Sequence, residues 1–364
     1  MQVTIVGLPG SGKSTVFNAL TGGHAETGAF SGSRAAPNVA AVKVPDERVD
    51  RLAALFKPKK TTYADVTYVD VAIPAGATRE GTVSPDVLAL VRNADALLHV
   101  ARAFDDPALG APADPWRDID ELDLEFTVAD LSMVEKRLEK LANQGRHGSQ
   151  AERDAAQREE ELLRRLEPHL SEGRPLRSFG LTDDEELLLR GYRFLTQKPV
   201  LVVLNIDETR LPDAAAAEAD GRARYDQPQT DVAALAGKIE AELAELSQED
   251  ARPFMDELGI AEPSRGRIIR LTYDLLGLFS FFTAGEDECR AWTLRRGATA
   301  VDAAGVIHSD LARGFIRAEV IGVDDLIEAG SLAEARKRGI LRQEGKTYQV
   351  RENDVLQILF NVGR

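Results

Sequence analysis

Apolar positions fall in two rhythms along this chain. Residues 2–6 alternate polar and β-branched side chains and run straight into Gly7, which predicts a strand feeding a turn. From 14 to 20 the apolar residues Val16, Phe17 and Leu20 take helical spacing, and Gly22-Gly23 ends the element. Residues 22–39 are rich in Gly, Ala and Ser without a period and read as a loop. Further strands are predicted at 40–44, 63–71, 96–101 and 199–204, with a helix at 46–55. Strands alternating with helices imply an α/β fold, a mostly parallel sheet with helices on both faces.

The rhythm changes at 128–197. Leu131, Val134, Leu138 and Leu141 keep a 3-4-3 spacing with charges between them, and 145–149 is a polar break. Helical spacing resumes over 151–167, with Ala155, Leu162 and Leu166 near one stripe and Pro168 expected to end it. This predicts an antiparallel helical hairpin inserted into the α/β pattern. After 281 come short strands at 290–294, 315–320, 348–350 and 356–360, around a helix near 300–307, a small α+β unit. The expected division is a nucleotide-binding domain over 1–127 and 198–280, a coiled-coil hairpin over 128–197 and a C-terminal domain over 281–364.

Charge and composition narrow the function classes. The 364 residues carry a formal net charge of -15, which argues against a broad nucleic-acid surface and against sequence-specific DNA binding. Residues 281–364 hold 12 Lys+Arg against 13 Asp+Glu, so only that segment approaches a phosphate backbone without strong repulsion. The single cysteine excludes an internal disulfide, and no apolar run nears the ~20 residues of a membrane span. A cytoplasmic protein is the expectation. Cys289 reads as an inert thiol, or as a reactive one because Arg290 adjoins it. His99 lies inside an apolar strand and reads as a core residue rather than a catalyst.

The candidate chemistry begins at residues 7–14, Gly-Leu-Pro-Gly-Ser-Gly-Lys-Ser, a complete phosphate-binding loop between a strand and a helix. Its backbone N–H groups would meet the phosphates across Gly10, Ser11, Gly12, Lys13, Ser14 and Thr15. Lys13 would reach the β- and γ-phosphates, and the Ser14 hydroxyl would ligate Mg²⁺. Asp70 ends an apolar strand where a second carboxylate supports that metal; strand-end Asp residues also serve turns, and position alone leaves both roles open. Asn205 follows the 199–204 strand and faces either a ligand crevice or a helix cap. GTPases carry Asn-Lys-x-Asp here; this chain has Asn205-Ile206-Asp207-Glu208.

Taken together these residues resemble the YchF / Obg-like ATPases, P-loop GTPase-type proteins of the translation-factor class. The likeness covers nearly the whole chain: residues 7–21, Pro37-Asn38-Val39, residues 94–104, the start of the hairpin from Asp130, Asn205-x-x-Glu208, Lys238-Ile239-Glu240, and in the C-terminal segment Thr283-Ala284-Gly285, Arg290-Ala291-Trp292-Thr293 and residues 304–318. The resemblance implies a TGS domain at 281–364 and ATP preferred over GTP, with Asn205, Ile206 and Glu208 around the base. It implies a slowly hydrolysing switch that meets a ribosome or RNA–protein complex through the TGS domain and hairpin.

The chain departs from the family at both switches. Asp70 is followed by Val71-Ala72-Ile73-Pro74, without the glycine whose N–H meets the γ-phosphate; Gly76 is a partial substitute. The metal-binding Thr of the first switch falls on Arg34, with Thr27, Ser31 and Ser33 nearby, and residues 105–115 hold no His. Arg34 is a candidate arginine finger in cis, beside Lys13 as a catalytic group. The readings left open are a weak ATPase, a non-hydrolysing nucleotide-binding scaffold, and a GTP-binding protein.

Overall fold

The computed structural model describes residues 1–23, 37–71, 83–143, 149–260 and 262–361, the Gln248 side chain excepted. Twelve strands lie among the described residues: β1 (Gln2–Val6), β2 (Asn38–Lys43), β3 (Lys60–Thr62), β4 (Asp65–Asp70), β5 (Ala96–Ala103), β6 (Val200–Ile206), β7 (Thr230–Leu235), β8 (Leu278–Ala284), β9 (Glu288–Arg295), β10 (Phe315–Gly322), β11 (Arg342–Glu344) and β12 (Asp354–Phe360). They form two six-stranded sheets, ordered β2-β4-β1-β5-β6-β7 and β11-β10-β12-β8-β9-β3.

The chain divides into two compact units, Met1–Ala40 with Thr67–Ile268, and Ala41–Val66 with Ile269–Arg364. This corrects the expected division. The helix Glu47–Phe56 and β3 leave the nucleotide-binding domain and join the C-terminal unit, as do residues 269–280. The cause is long-range pairing: β3 runs parallel to β9 with Lys60 opposite Glu288 and Thr62 opposite Arg290. No local pattern announces such a partner. Residues 128–197 do not separate either; they lie within the first unit.

In the first unit β1 is parallel to β4 and β5, and β5, β6 and β7 continue parallel. Both β5 and β6 are buried at every residue, as expected of a parallel sheet covered on both faces. One face packs Leu97, Ala101, Val202 and Leu204 against Ile119, Leu122 and Phe126 of the long helix Pro115–Asn143. Each of the larger side chains among them contributes about 1.5–3 kcal/mol on burial, and the single methyl of Ala101 roughly 0.8 kcal/mol. His99 sits in this core at 2% exposure, and burial pushes its imidazole down to about 4, with the nearby Asp123 charge opposing. It is therefore neutral in the fold, as its strand position implies. A depressed folded value means the contribution is complete above about 6.5 and lost as pH falls towards 4. His99→Leu is expected to remove ~3 kcal/mol of acid sensitivity across that window, read from urea melts at pH 7 and pH 4; parallel pH slopes in variant and parent would contradict it.

The hairpin comprises the helices Pro115–Asn143 and Gln150–Ser171, the first starting well before the expected residue 128. Ser149 and Glu152 form a capping box that starts the second. Val134 and Leu138 pack against Leu162, Leu163, Leu166 and Leu170, while Ala155 is exposed rather than on this stripe. Pro168 does not end the helix. Only one N–H is lost there, and the turn beyond it buries Leu170 and sets His169 Nε2 3.0 Å from Pro175 O and 3.2 Å from Ser178 Oγ. At the root, fully buried Asp130 accepts from Leu195 N (3.1 Å), Thr196 N (2.8 Å), Thr196 Oγ1 (2.9 Å) and an Arg92 guanidinium nitrogen (2.9 Å).

In the second unit β12 lies between antiparallel β10 and parallel β8, and β8 pairs antiparallel with β9. Thr299 and Asp302 cap the helix Ala300–Ile307, whose Ala300, Ala303 and Ala304 face Phe279, Phe281 and Ala318. The strand expected at 348–350 is reduced to one bridge, Gln349 to Thr299.

Candidate nucleotide-binding site

The turn after β1 wraps because three glycines take conformations with positive φ: Gly7 at 153°, Gly10 at 81° and Gly12 at 86°. Side chains there would also collide. A Cβ on Gly7 would lie 2.3 Å from Val100 O, and one on Gly12 would lie 2.2 Å from Asn205 Nδ2. Gly12 caps the helix Lys13–Thr21, so the positive end of its dipole faces the turn.

One pair of expected metal ligands meets at this helix. Ser14 Oγ donates to Asp70 Oδ2 at 2.8 Å, and Asn38 Nδ2 approaches the same oxygen at 3.4 Å. Asp70 is 4% exposed, and its Oδ1 has no hydrogen-bond partner. A buried carboxylate oxygen without a donor is costly, and a cation or metal-bound water satisfies it. Lys13 Nζ folds back on the carbonyls of Gly7 (2.9 Å) and Leu8 (3.0 Å). Burial lowers its ammonium to about 8, with the Asp70 charge opposing. A phosphate at the loop is the natural counter-charge for that lysine.

Asn205 holds the far side. At the end of β6 and 4% exposed, it donates through Nδ2 to Ser11 O (3.0 Å) and accepts through Oδ1 from Gly237 N (3.1 Å). Both ends of the amide are spent on backbone, so its effect on a nucleotide runs through the phosphate loop and the turn after β7. Ile206 is buried at the strand end, and Glu208 is exposed at the start of the short turn Glu208–Asp213. Thr15 is partly buried in the first turn of the phosphate-loop helix.

The geometry brings Gly10, Ser11, Gly12, Lys13, Ser14, Asp70 and Asn205 into one site. Arg34, Thr27, Ser31, Ser33, Ile73, Pro74 and Gly76 lie outside the described residues. Sequence reading missed Gly237, where a Cβ would stand 2.8 Å from Asn205 Oδ1, and Leu109, whose side chain covers Gly10. A glycine opening the helix after a strand was the available signal for the first. Cys289 is buried and its thiol pushed up by burial, which fits an inert core residue.

A wrapped glycine loop at a helix N-terminus, a lysine on its carbonyls and a Ser–Asp pair beside it define a P-loop nucleotide-binding protein of the GTPase type. A family model described as a 50S ribosome-binding GTPase matches residues 2–143, and the model for the C-terminal region of YchF-type GTPases, described as a protein of unknown function, matches 278–361. The ribosome-binding ATPase YchF of Bacillus subtilis is 39% identical, and that of Escherichia coli O157:H7 36% identical, each alignment spanning 98% of both chains. The solved YchF GTPase of Schizosaccharomyces pombe superposes with a TM-score of 0.85 at 30% identity, covering 99% of this chain and 97% of that one. The chain belongs to the YchF family. Among the described residues no helix is long and apolar enough to cross a membrane.

Proposed function

We propose that this chain is an ATP-binding switch that hydrolyses slowly and works on the ribosome in the cytoplasm. The observation that carries the nucleotide reading is the Lys13–Ser14–Asp70 constellation, complete at the phosphate end. Ser14 Oγ and Asp70 would hold Mg²⁺, and the unpartnered Asp70 Oδ1 is the acceptor such an ion or its water requires. Bound Mg²⁺ supplies positive charge to the phosphoryl oxygens. Lys13 adds a second charge on the same oxygens, and Asn205 keeps the loop closed around them. Preference for adenine rests on Glu208, an acceptor-only carboxylate one methylene longer than the guanine-reading Asp, and on Ile206 in place of the usual Lys. The relatives described as ribosome-binding ATPases agree with this; the S. pombe protein described as a GTPase makes GTP the second reading. Slow turnover follows from Ile73 at the sequence position where the family's second switch has glycine and from Leu109, an apolar group, against the phosphate loop.

Calorimetric titration of nucleotide-free protein with Mg·ATP and Mg·GTP, with released phosphate followed on the same samples, tests it. Expected are tighter ATP binding and turnover on the order of 10⁻³ per second, both lost in Lys13→Ala. Tighter GTP binding would overturn the reading of Glu208, and binding without phosphate release would make the chain a scaffold.

For the ribosome contact we assign the hairpin together with the C-terminal, TGS-like unit. A cavity of about 530 Å³ on the hairpin is lined by Lys136, Arg137, Lys140, Glu159 and Tyr192, a net positive rim on an acidic protein. Lys136→Glu with Lys140→Glu is expected to weaken ribosome co-sedimentation about tenfold or more at low salt and less at high salt; equal recovery of variant and parent would confine the contact to the C-terminal unit.

A further inference from the structure

The connection from β5 to the helix Pro115–Asn143 is organised to hold one apolar side chain against the phosphate loop. Arg102, on β5 and 6% exposed, donates to Ala111 O (3.2 Å) and Pro112 O (3.1 Å). Asp105 Oδ1 accepts from Ala113 N (3.2 Å), and Asp106 Oδ1 accepts from Ala108 N (2.9 Å). Leu109 N donates to Asp106 O (3.1 Å), closing the single turn Pro107–Leu109, and Gly110 reverses the chain at φ 67°. Both ends of the segment are thus tied to β5 or to each other.

Leu109 is what this frame presents. Its Cδ1 and Cδ2 lie 2.8 and 3.1 Å from the point a Cβ on Gly10 would occupy, so the side chain packs directly on the Gly10 backbone. Gly10 is one of the positive-φ residues that wrap the loop. The side of Gly10 from which a side chain would project is therefore occupied by an apolar group on a separately braced segment, although Gly10 is exposed and Leu109 keeps 41% of its surface in solvent.

We propose that Leu109 is a positioning residue that latches the phosphate loop in its wrapped form and sets how long a nucleotide stays bound. A loop that unwraps loses its ring of N–H donors, so nucleotide release requires Gly10 to move, and Leu109 opposes that movement. The effect belongs to the phosphate end of the site. It rests on the nucleotide-binding reading but not on which base is preferred.

The test is stopped-flow release of fluorescent ADP and GDP analogues, chased with excess unlabelled nucleotide, using the full chain. Leu109→Ala is expected to raise the release rate about tenfold for both, with the association rate within about twofold, as affinity changes within one site fall mostly on dissociation. Leu109→Met, which keeps an apolar contact, should restore most of the residence time. Leu124→Ala, an equally simple truncation at a 55% exposed position of the helix, should leave it as in the parent. Release rates in Leu109→Ala within twofold of the parent, or a change confined to association, would overturn the latch. If the parent holds neither analogue, the nucleotide-binding reading fails first.

Discussion

Gly12→Ala is expected to lower nucleotide affinity at least 100-fold and to destabilise the chain by about 2–5 kcal/mol, from two separate causes. The residue sits at φ 86°, where an L side chain costs about 1–2 kcal/mol. The added Cβ would also lie 2.2 Å from Asn205 Nδ2 and 3.8 Å from Phe104. Asn205 would have to move, giving up its bond to Ser11 O, and a buried amide left unpaired costs about 1–3 kcal/mol. The loop then loses both its wrap and its tie to β6. Gly173→Ala is the control: it has φ 75° but nothing within 4 Å of its Cβ, so it isolates the backbone strain. Thermal melts and calorimetry with Mg·ATP read both variants. If Gly12→Ala binds nucleotide as well as Gly173→Ala does, the clamp from Asn205 has no part in binding.

The largest effect on stability is expected at Asp130. Its carboxylate accepts two backbone N–H groups, the Thr196 hydroxyl and Arg92, all at the root of the hairpin. Burial pushes the carboxyl up, while Arg92 and the Thr196 and Leu195 amides pull it back. All four groups that face it donate, so each loses this acceptor when the carboxylate goes. Asp130→Ala takes the acceptor from two buried amides and leaves the mostly buried Arg92 guanidinium with only the carbonyls of Arg193 (3.3 Å) and Ala129 (3.4 Å), and should cost about 3–5 kcal/mol. Asp130→Asn keeps one acceptor but turns an NH₂ towards donors, and an intermediate loss is expected. Urea denaturation checks both. A loss below about 1 kcal/mol for the alanine variant would show that water enters the root and replaces the carboxylate.

Local chemistry made the phosphate site readable. Gly7, Gly12, Lys13 and Ser14 are fixed by backbone geometry and charge within eight residues, and Asp70 and Asn205 stand at the ends of apolar strands. What escaped depended on distance. The helix Glu47–Phe56 and β3 look like part of the α/β alternation because the strand that pairs with β3, β9, is far away in sequence. The Tyr348–Val350 stretch has strand composition but no ladder neighbour beyond one bridge. Pro168 has a helix-ending local effect that the burial of Leu170 beyond it overrides. Leu109 gave no signal at all, since an apolar residue in a Pro- and Ala-rich turn acquires meaning only from the glycine it covers.

The mixed ancestry of the second sheet bears on how the protein emerges during synthesis. Its strand β3 is made early, yet it stays an unpaired edge until β9 appears, and β12 must still insert between β10 and β8. The first unit can close beforehand, from residues up to 268, with the helix Glu47–Phe56 and β3 looped out between β2 and β4 and waiting. Removing 281–364 therefore deletes more than one module: it strands the helix Glu47–Phe56 and β3 without a sheet. Chains released before residue 354 would carry the same open edge, which makes them natural clients for chaperones and quality-control proteases.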